Sequence, residues 1–279
     1  MKNNIDKIMP FLSPASLQNN KTLKRSQYIN NSDLKQTNKK IWFDSNEIYN
    51  QIKEFQILFS PTQYAKVLPV RFDLKGSPSK DDLRNITNNL QYGNRILIPW
   101  LCDGHWSSVE ISKNQYGKIT LTVHNPQERP HSKTQKSLTN EIANEVKNTL
   151  FQNKDVTIES SRFNQNRQKD VNFCGGIMLN EMFNIAINAK DKIPKDYTKK
   201  ELQSNCVAPL LSFMSINKDK INPNVNKKIV ENVVNENTNR CLEIYKSDTS
   251  LLHVVKGLYH LILIIVFNKD TAKNHHNSR

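Results

Sequence analysis

The chain has 279 residues, 37% of them hydrophobic, enough apolar material for one large core or two small ones. Lys and Arg number 40 against 26 Asp and Glu, a surplus of +14 that suits an acidic partner. That surplus is spread along the chain without any nucleic-acid motif, so it reads as a charged surface and not as a nucleic-acid site. Cys102, Cys174, Cys206 and Cys241 are too few and too scattered for a disulfide framework or a CxxC zinc site, which excludes a disulfide-stapled secreted module and implies a reducing working compartment.

Residues 1–38, dominated by Asn, Lys, Gln and Ser, read as a mobile N-terminal arm, and "MKNNIDKIMPFLSPASL" lacks the continuous apolar stretch of a conventional signal peptide. The first strong element is "WFDSNEIYNQIKEF". Asp44 or Ser45 can cap it, Glu47 completes a capping box with Asp44, and Ile48, Ile52 and Phe55 fall on one helical face. "RILIPW" suits a buried strand, followed by the alternating "HWSSVEIS", the turn "KNQYGK" and the strand "ITLTVHN". The last two strands read as a hairpin whose ends bring His105 and Asn125 close together.

"LTNEIANEVKNTLF" places Leu138, Ile142, Val146 and Leu150 on a helical stripe, and "DVTIES" gives a further strand. After a polar loop, "GGIMLNEMFNIAINA" is apolar almost all round, the mark of a central buried helix. Mixed helices and strands without regular βα alternation predict an α+β fold. Residues 191–279 form a distinct C-terminal region, with helices expected near 199–213 and 226–236. The apolar run at 250–267 is too short of charge-free length to span a bilayer and reads as a buried helix or strand, with membrane association left open.

The chemistry centres on "QKDVNFCGG", residues 168–176. Cys174 stands where its helix begins, and a helix N-terminus with a nearby imidazole lowers a thiol's pKa. Gly175 and Gly176 leave room for a substrate backbone. A buried thiol that merely packs is the alternative. His105 is the candidate base, or a satisfied structural histidine. Asn125 can hold one imidazole nitrogen and fix the tautomer, as in the Cys-His-Asn variant of the catalytic triad, or can serve as a turn residue. Gln168 can join the Cys174 backbone N–H as an oxyanion donor.

The order His105-Trp106, Asn125, Gln168, Cys174-Gly175 resembles the CE clan of cysteine proteases, the adenain-like and Ulp/SENP-type SUMO proteases with the bacterial effector deubiquitinases related to them. "WFDSNEI" resembles the clan's Trp-Leu-Asn-Asp segment, with Trp42 at the matching Trp. Where the clan usually carries Asp, this chain has Asn125, and Phe173 precedes the Cys where Asp or Asn is common.

The resemblance spans about residues 40–190. It implies a protease domain over 39–190 with a papain-like, adenain-like fold: a central mixed sheet and the catalytic Cys at the N-terminus of a buried helix. It also implies a cysteine isopeptidase, without metal or other cofactor, that cleaves after the Gly-Gly terminus of ubiquitin, or of SUMO or NEDD8. Trp42, Trp106 and Gly175 would then receive that terminus, and the protein would be a secreted bacterial effector working in the host cytoplasm. Two alternatives use the same residues: a YopJ-type acetyltransferase, and a catalytically decayed modifier-binding protein. The C-terminal region lies outside the resemblance and is expected to add binding or localisation.

Overall fold

The computed structural model of the protein describes residues 43–59, 63–73, 76–90, 94–127, 137–152, 155–159, 161–163, 167–168 and 173–267. The expected arm, 1–38, and Trp42 lie outside them.

Helix α1, Ser45–Phe59, opens on the reciprocal cap written in its sequence: the Glu47 N–H donates to Asp44 Oδ1 at 2.9 Å and the Asp44 N–H to Glu47 Oε2 at 2.8 Å. Such a cap is worth about 1 kcal/mol. Its stripe of Ile48, Ile52 and Phe55 is fully buried. Two elements follow that periodicity does not announce, the two-residue strand β1, Lys66–Val67, and helix α2, Lys80–Asn89. Helix α2 buries only Ile86, so it carries no apolar stripe to read, although Ser79 Oγ accepts the Asp82 N–H in an ordinary N-cap.

Strands β2, Arg95–Cys102, and β3, His105–Lys113, form a hairpin joined by Asp103-Gly104, both at positive φ (48° and 69°), the two left-handed positions of a type I′ turn. The turn sets Cys102 opposite His105 and thereby makes His105 the first residue of β3. Strand β4, Ile119–His124, runs antiparallel to β3 with Ser108 opposite His124. Helix α3, Leu138–Phe151, buries Leu138, Ile142, Val146 and Leu150 as its stripe requires, and strand β5, Val156–Glu159, lies parallel to β4. With β1 parallel to β2, the sheet is a five-stranded mixed sheet in the order β1-β2-β3-β4-β5, and the fold is α+β.

Helix α4, Cys174–Ala186, is buried at every residue and packs on β3. Its apolar circumference follows from that placement: sheet on one side, helices on the other.

Beyond residue 190 the chain forms a short helix α5, Lys199–Glu201, which runs into a π turn at Leu202–Cys206, and then α6, Pro209–Ile216. The single helix expected near 199–213 is thus broken, because Pro209 has no N–H to continue the ladder. Helix α7, Lys227–Ile244, and helix α8, Thr249–Phe267, complete the described chain.

These helices share the core of the sheet-bearing part. Phe213 of α6 packs edge-on against Phe55, Phe59 and Phe183, at centroid distances of 5.6, 5.1 and 5.6 Å, and Phe55 stacks on Phe183 at 4.4 Å. Arg240 of α7 grips Glu54 of α1 through Nη2 at 2.6 and 2.5 Å. Among the described residues no helix is long and apolar enough to cross a membrane, and all four cysteines are free thiols.

Candidate active site

His105 Nε2 lies 2.9 Å from Asn125 Oδ1. Which of the two carries the proton follows from the other neighbours of Asn125. The same Oδ1 accepts the Gln127 backbone N–H at 3.1 Å, and Nδ2 meets Thr139 Oγ1, on the first turn of α3, at 3.1 Å. A backbone N–H can only donate, so the atom facing it is oxygen and the imidazole must present Nε2–H to that oxygen. Nδ1 is then the basic nitrogen. Both residues are buried, His105 3% and Asn125 0% exposed. The hairpin expected to join these two side chains joins them.

Cys174 is the first residue of α4, and no acidic residue shares its first turn. The partial positive charge of a helix N-terminus favours a thiolate at that position. The other three cysteines stand at no helix N-terminus. Burial pushes Cys102 and Cys241 up to about 12 and raises Cys206 well above the ordinary thiol value, so all three are neutral thiols at physiological pH.

Gly175, the residue after Cys174, packs against Trp106, the residue after His105. A Cβ built on Gly175 would lie 3.3 Å from Trp106 Cδ1 and 3.0 Å from Phe43 Cβ, while Trp106 Nε1 donates to the Phe43 carbonyl at 3.1 Å. Trp106 is 2% exposed, with Phe72 edge-on at 5.5 Å. At Gly176 a Cβ would lie 2.0 Å from the Cys206 carbonyl oxygen, so that glycine admits the π turn against α4. The space both glycines leave on their Cβ side is therefore filled by protein, which explains the pair by packing.

Gln168 is 3% exposed, and its backbone N–H donates to the carbonyl of Pro126, the residue after Asn125, at 3.0 Å. Its neighbour Arg167 forms a bidentate ion pair with Glu181 of α4. Arg167 and Gln168 are thus tied to the thiol's own helix and to the residue that follows Asn125. Truncating either charged partner would strand a buried charge, at a cost of about 3–5 kcal/mol.

A further buried network lies farther along β2 and β3, away from the turn that joins them. Glu110 of β3 accepts from Arg95 of β2 at 2.8 Å and pairs with His124 of β4 at 3.0 Å, and His124 Nδ1 meets Ser161 Oγ at 3.0 Å. Lys190, just beyond α4, stands 3.9 Å from the carboxylate. Burial alone would push Glu110 up, but His124, Lys190 and Arg95 together bring it down to about 2. His124 directly precedes Asn125, so this carboxylate fixes the strand end from which Asn125 projects. Composition gave no hint of the network, although Glu110 inside an otherwise buried strand was a signal that a cation must face it.

Trp42 falls outside the described residues. Among the described residues no group of three or more His, Cys, Asp and Glu is arranged to hold a metal ion. No family model matches the chain, and no curated protein matches it.

Proposed function

We propose that the protein is a cysteine isopeptidase of CE-clan type, with a papain-like arrangement of sheet and thiol helix, that cleaves after the Gly-Gly terminus of ubiquitin. What supports this reading is the His105–Asn125 hydrogen bond together with the packing of Gly175, next to Cys174, on Trp106, next to His105. Recognition by roles is the relevant criterion for such sites.

In the proposed reaction Cys174 gives its proton to His105 Nδ1, and its sulfur adds to the carbonyl carbon of the terminal glycine. The oxyanion takes hydrogen bonds from the Cys174 backbone N–H and the Gln168 amide. The bond to the lysine nitrogen breaks as His105 returns the proton to that nitrogen, leaving a thioester. Water, deprotonated by His105, then releases the carboxylate and restores the thiol. Asn125 holds the ring in the required tautomer throughout. Burial of all four groups to 3% exposure or less fits a narrow approach suited to a Gly-Gly terminus.

The free thiols support work in a reducing compartment, which for an effector is the host cytoplasm. The test is cleavage of isopeptide-linked ubiquitin dimers by wild type and Cys174→Ala: turnover by the first alone supports the proposal. Cys174-dependent acetyl transfer from acetyl-CoA without cleavage would replace it by the acetyltransferase reading.

A further inference from the structure

Resting on the reading of Cys174 as nucleophile, we propose that Arg167 is a positioning residue whose fork on Glu181 holds the Gln168 loop in oxyanion-donor register with the N-terminus of α4. Arg167 Nε donates to Glu181 Oε1 at 2.9 Å and Nη2 to Oε2 at 2.5 Å, with Arg167 1% and Glu181 0% exposed. Glu181 follows Cys174 by seven residues, two helical turns, so the fork grips the face of α4 that lies below the thiol. Tyr197 closes the arrangement: its hydroxyl donates to Glu181 Oε1 at 2.7 Å and its backbone N–H to the Arg167 carbonyl at 3.0 Å. Burial pushes the Tyr197 phenol well up, which keeps it a donor.

The next residue carries the second tie, Gln168 N–H to Pro126 O at 3.0 Å. The dipeptide Arg167-Gln168 therefore spans from the thiol's helix to Pro126, the residue that follows Asn125. A buried ion pair stabilises a fold little better than an apolar pair of the same volume. What the planar fork supplies is a fixed direction and distance, and an oxyanion donor needs both.

The test is a double-mutant cycle on isopeptide cleavage with Gln168→Ala, Arg167→Lys and the two combined. Loss of an oxyanion donor lowers kcat about 100-fold, the effect expected of Gln168→Ala. Arg167→Lys keeps the charge but loses the fork, and should lower kcat about 10- to 100-fold at unchanged KM. Added to Gln168→Ala it should cost nothing more. Alkylation of Cys174 by iodoacetamide, which needs the thiolate and no oxyanion donor, should stay within about twofold. Hydrogen exchange at the Gln168 amide should accelerate about tenfold or more in Arg167→Lys.

Losses that multiply in the double variant, alkylation that falls in step with kcat, or unchanged exchange at Gln168 would each overturn the proposal. Should Arg167→Lys not fold, Tyr197→Phe makes the same test with a smaller effect expected in the same direction. A wild type with no Cys174-dependent turnover would overturn the function itself, while exchange at Gln168 would still decide whether Arg167 holds the loop.

Discussion

At His105 the proton is placed by Asn125, whose amide cannot turn over without losing the Gln127 N–H and setting an N–H against another donor. An Asn fixes the tautomer but brings no charge to balance an imidazolium. Asn125→Asp should therefore keep or raise turnover, and Asn125→Ala should lower kcat about 100-fold, measured on an isopeptide substrate. Glu110 is the other residue whose protonation matters. Its carboxyl is held at about 2 in the folded protein against an ordinary 4.5, so the unfolded chain binds its proton first as pH falls. The stability it contributes is complete above pH 4.5 and is lost as pH falls toward 2. Urea unfolding of Glu110→Gln should show a protein weaker than wild type at neutral pH, with the two curves converging near pH 2. Parallel curves over that window would contradict the assignment.

Helix α4 owes its position to close approach at its first turn. The Cys206 carbonyl lies where a Gly176 side chain would begin, and backbone cannot swing aside as a side-chain tip can. Gly176→Ala should destabilise by about 3 kcal/mol in denaturant unfolding, with a smaller loss for Gly175→Ala, where the Phe43 and Trp106 side chains can give.

The elements legible in the sequence are those with a local signal: the Asp44–Glu47 box of α1, the hairpin alternation of β3 and β4, the stripe of α3 and the all-round apolar run of α4. The hairpin of β2 and β3 is not among the expectations, although Asp103-Gly104 is a strong turn-forming pair. Helix α7 runs to Ile244, past the expected end near 236, because Asn237 and Arg240 look like surface residues until Glu54 is brought opposite them from 183 and 186 positions away. Likewise His105 and Asn125 could be paired from the hairpin alone. The tie between Arg167 and Glu181 could not, since it depends on how a polar loop returns to a helix.

The change of sequence character near residue 190 is not a boundary in the core. Phe55, Phe59 and Phe183 from one side of it pack with Phe213 from the other, and the Asn222 N–H donates to the Leu58 carbonyl at 2.7 Å. Fully burying such a side chain is worth about 1.5–3 kcal/mol, comparable in sum to the whole stability of a domain. Residues 39–190 expressed alone should therefore lack a cooperative unfolding transition. A sharp transition in that fragment would show that the C-terminal helices are an appendage.

The central claim concerns one thiol, and the most direct measurement is reaction of wild-type and Cys174→Ala protein with ubiquitin, SUMO and NEDD8 carrying a thiol-reactive group at the C-terminus, read by intact mass. The account predicts a single covalent adduct with ubiquitin in the wild type and none in Cys174→Ala. No adduct with any of the three, from wild-type protein shown to be folded, would contradict it.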